Sequence, residues 1–164
     1  MEIRTVTDND IAKISAFASD VFIDYYNDLI GNRQAVYMAE LFLSEEAIRK
    51  LIADGAIFRT VCEDDEIIAF TEYIREAERV FLSKLYVRKD RRGEGIGKLL
   101  FDDCVDYARK NGLKSIYLTV NKGNTPSFNI YDHLGFKVID AVVNDIGQGY
   151  VMDDYVMEYT LKDE

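Results

Sequence analysis

The chain is poor in the side chains from which metal centres and hydrolytic triads are built. One histidine, His133, and two cysteines, Cys62 and Cys104, occur in 164 residues. A histidine-based triad or a multi-histidine zinc site would lack its parts, so no metal is expected. The cysteines form no C-x-x-C pair and lie among apolar neighbours, so both read as buried thiols rather than a disulfide. Pro126 is the only proline. With no linker, repeat or low-complexity tract, that argues against a hinge and for one α/β domain over 1–164. No apolar run approaches the roughly 20 residues of a membrane span. The opening Met-Glu-Ile-Arg-Thr has no secretory hydrophobic region, and the cytoplasm is the expected location. Basic residues are also outnumbered, 20 against 30 acidic, giving a net charge of −10. That argues against nucleic acid or an anionic membrane as partner. Two readings of the acidity stay open: solubility, or a cleft that attracts a cationic substrate.

What the chain does have is glycine at one telling place. Leu82–Val87 reads as a strand, Arg88–Arg92 as a charged turn, and Gly93, Gly95 and Gly97 precede an amphipathic run from Ile96. A helix that starts from such a turn has backbone N–H groups without intrahelical acceptors, and its dipole favours an anion there. Arg92 and Lys98 flank the turn and would add charge-assisted bonds to phosphate. The spacing is not G-x-G-x-x-G, and no Gly-Lys-Ser/Thr closes the turn, so neither the dinucleotide fingerprint nor a P-loop applies.

Along the chain, residues 2–6 alternate as a strand, and Thr7 to Asp10 form a capping box for a helix bearing Ile11, Ile14, Phe17, Ala18, Val21 and Phe22. Residues 24–34 read as a helix end plus loop, and 35–53 as a helical region with a re-cap at Ser44. Strands are expected over 57–62, 67–74 and 80–87 as an antiparallel meander. The helix from Ile96 puts Ile96, Leu99, Leu100, Cys104, Tyr107 and Ala108 on one face, with Asp102, Asp103, Asp106, Arg109 and Lys110 largely opposite. A strand over 115–120 completes a crossover unit parallel to the strand before the glycines. Thr125-Pro126 reads as the cap of a short helix to Leu134, and strands over 136–145 and 150–161 flank Gly147-Gln148-Gly149 as a hairpin.

Two segments then carry a resemblance. Arg92-Gly-Glu-Gly-Ile-Gly97 fits the R-x-x-G-x-G/A acetyl-CoA signature, and Asn124 through Tyr131-Asp-His-Leu-Gly-Phe136 fits the asparagine, tyrosine and "LGF" segment, of the general-control-type N-acetyltransferase superfamily, the GNAT fold. The match covers about 56–140. The carboxyl-terminal hairpin is similar to that of its bacterial diamine and polyamine acetyltransferases. The resemblance implies a mixed, mostly antiparallel sheet, splayed between two parallel strands, with helices on both faces. It implies acetyl-CoA as co-substrate, its pantetheine bonded near Leu85 and Val87, its pyrophosphate held by the amides of 93–98, and Asn124 contacting its arm. It implies direct transfer to a primary amine, with the Val87 amide as oxyanion donor and Tyr131 as general acid and cofactor contact. Tyr131 also reads as an ordinary packed aromatic.

The family's glutamate base has no clear counterpart, because its position falls near Phe81. Glu72 is the substitute, and reads equally as a solvent-facing strand residue. Asp153 and Asp154, with Tyr25 and Tyr26, suit a small cationic amine or polyamine, although the aspartates also read as a solvated pair. Acetylation of a protein amino terminus or lysine is the rival activity, and a non-catalytic acyl-CoA-binding module the rival class. A homodimer is expected only by analogy with the superfamily.

Overall fold

The structure is a computed structural model and describes residues 1–162. Seven strands, β1 (Glu2–Thr5), β2 (Ile57–Glu63), β3 (Glu66–Glu76), β4 (Arg79–Val87), β5 (Ser115–Asn121), β6 (Lys137–Gly147) and β7 (Tyr150–Thr160), form one sheet in the order β1-β2-β3-β4-β5-β7-β6. Among the described residues five α-helices accompany them: α1 (Ile11–Ile30), α2 (Asn32–Leu43), α3 (Glu45–Ala53), α4 (Ile96–Lys110) and α5 (Thr125–Leu134). The pairs β1–β2, β2–β3, β5–β7 and β7–β6 are antiparallel, while β4 and β5 are parallel. The chain divides into two compact units, residues 1–74 with 83–104, and residues 75–82 with 105–162.

In the first unit the β2–β3 turn is made by Asp64 and Asp65, both at positive φ. Aspartate accepts the left-handed region better than most residues, which keeps the hairpin tight. α1 lays Phe17 edge-on against Phe70 of β3, and Phe22 edge-on against Tyr86 of β4. α4 places Ile96 and Leu100 in a cluster with Val61, Ile68 and Ala69, against which Leu85 and Val87 pack. Side chains alternate along a strand, so Tyr86 and its neighbours Leu85 and Val87 point to opposite faces. Both faces of this part of the sheet are therefore covered by helices, as the resemblance implied.

Three local expectations are corrected. Residues 24–34 are not a helix end and loop: α1 continues to Ile30 and breaks only at Gly31, φ +88°, before α2. Ring contacts among Phe22, Tyr25 and Tyr26, with centroids 4.6 and 4.9 Å apart, favour helical spacing through that segment. The cap of α5 is Asn124 rather than Thr125, its side chain accepting the Ser127 amide at 3.3 Å. Asp103 is not on a solvated face. It accepts from Arg59 Nη2 at 2.8 Å and from the Tyr73 hydroxyl at 3.1 Å. Burial beside that carboxylate pushes the Tyr73 phenol upward. Ser44 does re-cap α3, accepting from the Ala47 amide. Cys62 and Cys104 are free and buried, and burial raises the Cys104 thiol to about 12.

In the second unit β5 is registered against β7 along its whole length, from Ser115↔Thr160 to Asn121↔Asp154. Buried Ile116, Leu118 and Met157 share one face, and Phe136 packs there against Tyr131 and Tyr159. The parallel ladder is short. Registered pairs are Arg79↔Ser115, Val80↔Ile116 and Phe81↔Tyr117, although β4 runs on to Val87 and β5 to Asn121. The last pair is locked by rings, with Phe81 stacked on Tyr117 at 4.8 Å and Arg79 lying over Tyr117.

Candidate active site

The glycine turn is built as its backbone needs require. Gly93 and Gly95 have φ of +81° and +82°, a region that L side chains rarely adopt. A Cβ at either would meet no atom within 4 Å, so the space beside the turn is open to a ligand. The first turn of α4 adds amides of Ile96, Gly97 and Lys98 that have no intrahelical acceptor. Gly97 differs from the other two. It lies inside the helix, and a Cβ there would meet Leu85 and Val87 at 3.6 and 3.9 Å, ordinary contact. Gly97 needs no positive φ, and close packing of α4 on β4 is its visible role.

The flanking cations are occupied within the protein. Arg92 donates from Nε to the Val87 carbonyl at 3.1 Å, and its guanidinium lies 5.2 Å from the Tyr25 ring centroid. Lys98 pairs with Asp102 at 2.8 Å on the helix surface. Arg91, which sequence reasoning passed over, is the structural cation of the turn. It bridges Glu63 at 3.1 Å and Glu94 at 3.0 Å, tying the turn to β2 and holding Glu63 below the usual carboxylate range.

Glu72 is neither solvent-facing nor isolated. It is 2% exposed, and its carboxylate bonds to the Lys84 ammonium one strand away. Lys84 in turn donates to Ser83 Oγ at 3.3 Å, and the Lys84 carbonyl accepts from Thr71 Oγ1 at 2.8 Å. As a base Glu72 would first have to give up that partner. Sequence periodicity could not show this pair, because the two residues face each other across a hairpin. Near them Tyr25, Tyr26, Phe22, Phe70 and Tyr86 form a ring cluster of half-buried to buried aromatics.

In the second unit, Asn124 is buried at the head of α5, and Tyr131 is half-buried on the same helix, edge-on to Phe136 at 5.5 Å. His133 is exposed. Asp153 and Asp154 are not equivalent. Lys122 Nζ stands 2.8 Å from Asp153 Oδ1, and the same ammonium lies 5.7 Å from the Tyr155 ring centroid. Asp154 is 4% exposed, and burial together with the Asp153 charge raises its carboxyl to about 6. Reading the pair as solvated surface therefore fails for Asp154.

A strand that empties through two positive-φ glycines into a helix, followed by a crossover to a parallel strand and an asparagine-capped helix, can be set beside known families. The model of the Acetyltransferase (GNAT) family matches residues 21–136. The chain belongs to that family. Among its relatives, the peptidyl-lysine N-acetyltransferase YjaB of Salmonella typhimurium is 29% identical over 129 residues, 78% of this chain and 79% of that protein. The PaiA N-acetyltransferase of Thermoplasma acidophilum, solved in complex with coenzyme A, superposes with a TM-score of 0.83 at 22% identity over 98% of both chains. YncA of Salmonella typhimurium, solved with acetyl-CoA, gives a TM-score of 0.67 at 20% identity, covering 100% of this chain and 95% of that one. The mixed seven-stranded sheet is thus a GNAT fold, and the chain is an N-acetyltransferase by family. Among the described residues no helix is long and apolar enough to cross a membrane, and no cluster of His, Cys, Asp and Glu is arranged to hold a metal.

Proposed function

We propose that this GNAT chain takes acetyl from acetyl-CoA and passes it directly to a primary amine, a small cationic amine or polyamine, as one cytoplasmic domain. The observation that carries the donor assignment is the open space beside Gly93 and Gly95 at the start of α4. Backbone amides there would hold the pyrophosphate, and Leu85, Val87 and Asn124 the pantetheine arm. When bound, the thioester supplies an activated acetyl carbon. The Val87 amide would donate to the acetyl oxygen as charge develops on it, and Tyr131 would give a proton to the departing sulfur. Arg92 would exchange the Val87 carbonyl or the Tyr25 ring for phosphate.

For the acceptor, the support is a buried carboxylate, Asp154, in a chain that carries ten more acidic than basic residues (30 − 20). Tyr25 and Tyr26 would offer ring faces to a cation, and Asp153 on β7 would add charge. A protein lysine is the second reading, favoured by the 29% identity to YjaB, and it presents the same alkylammonium chemistry. Thiol release from acetyl-CoA, followed with spermidine, putrescine and an Nα-acetyl-lysine amide, tests the proposal. Turnover fastest with the polyamines is expected. Turnover with the lysine amide alone would move the assignment to protein lysine, and none with any amine would favour a binding module.

A further inference from the structure

Resting on that reading and deepening it, we infer that Arg92 sets donor selectivity. Its side chain competes with the pantetheine arm for the Val87 carbonyl, and yields it only to a thioester donor that brings a diphosphate. The Arg88 amide donates to the Ile68 carbonyl of β3 at 2.9 Å. In a trans peptide the carbonyl points opposite to the N–H, so the Val87 carbonyl of that same peptide unit points off the edge of β4 away from β3. Pairs registered between β4 and β5 end at Phe81, so among the described residues no strand is registered against that carbonyl. A strand edge without a ladder partner takes an added peptide-like strand, and the amides of a pantetheine arm are of that kind. Arg92 takes this acceptor instead, donating from Nε at 3.1 Å.

The contact follows from the local chain path. Arg92 is extended, with φ −72° and ψ 151°, and Gly93 follows at φ +81°. The chain turns there toward α4, while the Arg92 side chain reaches back to the end of β4. Its guanidinium also lies 5.2 Å from the Tyr25 ring centroid on α1, so both of its anchors are uncharged. Arg88, Arg91 and Lys98 are held differently: Arg88 pairs with Asp90 and Glu66, Arg91 with Glu63 and Glu94, and Lys98 with Asp102. Among the described residues Arg92 has no carboxylate partner. A guanidinium held by a carbonyl and a ring face gains much from a phosphate oxygen, whereas one already bonded to carboxylates gains little by the exchange. The open space beside Gly93 and Gly95 follows Arg92 directly in the chain, where the first amides of α4 favour an anion. A diphosphate there would draw Arg92 off Val87 and free the carbonyl for the arm. A thioester on a bare pantetheine arm offers Arg92 nothing and must displace it unaided, so it is the disfavoured donor.

The test is calorimetric titration of full-length wild type and Arg92→Met with acetyl-CoA and with S-acetylpantetheine, the variant being checked for an unchanged far-ultraviolet spectrum. Arg92→Met should bind acetyl-CoA about tenfold more weakly, through the lost phosphate contact. The same variant should bind S-acetylpantetheine about three- to tenfold more tightly than wild type, because the Val87 carbonyl no longer has an internal donor. A merely structural role would not give this reversal of sign, since a loosened turn would weaken both ligands. Arg92→Gln, which keeps a side-chain donor without the charge, should change both affinities in the same directions, with the smaller gain for S-acetylpantetheine, and it decides the matter if Arg92→Met does not fold. S-acetylpantetheine affinity equal to or below that of wild type, no detectable binding of it by any of the proteins, or acetyl-CoA affinity equal to that of wild type overturns the inference while leaving the transferase reading intact. Wild type that binds no acetyl-CoA overturns both.

Discussion

Glu72 and Asp154 are both almost fully buried carboxylates, at 2% and 4% exposure, yet they live under opposite conditions. Glu72 has an ammonium built against it from the neighbouring strand. Burial and the adjacent Asp153 charge raise the proton affinity of Asp154, with Lys122 acting against them. Burial alone does not mark a carboxylate as reactive. What matters is whether the fold supplies the partner that burial demands. A carboxylate so supplied is a structural strut, and one left wanting is available for chemistry.

The largest effect should come from breaking the strut. Lys84→Met leaves Glu72 buried and unpaired, and we expect a loss of about 3–5 kcal/mol in urea unfolding. Much of it should return in Lys84→Met/Glu72→Leu, and a single variant as stable as wild type would undo the comparison. Asp154→Asn should act in the other direction, and in a pH-dependent way. Its carboxyl binds a proton more tightly in the fold than in the unfolded chain, where its value is near 3.8. Stability is therefore lost as pH rises from about 4 through about 6, and the ionised form costs on the order of 2–3 kcal/mol above that. Unfolding free energies at pH 4 and pH 7.5 should show the asparagine variant gaining on wild type at the higher pH. The exposed pair Lys98–Asp102 sets the baseline: Lys98→Ala should cost only about 0.3–0.5 kcal/mol, and less in high salt.

The same contrast explains what could be read from the residues. The glycine turn was legible because its demands are local: positive φ at Gly93 and Gly95, and amides at a helix start. The capping box at Thr7 and Asp10 and the re-cap at Ser44 were legible for the same reason. The choice between Thr125 and Asn124 as cap was missed by one residue, since both types cap well and only hydrogen-bond geometry distinguishes them. The helix through Tyr25 and Tyr26 reads from sequence as a helix end plus loop, because its polar neighbours hide ring contacts that only the fold creates. The partners of Glu72 and Asp103 lie across strands or elements, beyond any local period. Asp154 was picked for its charge, but its burial depends on strand phase and on the irregular registers of β6 against β7.

The claim beneath all of this is that the turn at Gly93–Gly95 seats acetyl-CoA, and calorimetric titration of wild type and Gly95→Glu with acetyl-CoA tests it most directly. Saturable binding by wild type, weakened at least about tenfold in a variant with an unchanged far-ultraviolet spectrum, is the predicted result. No binding by wild type, or equal affinity in Gly95→Glu, would contradict it.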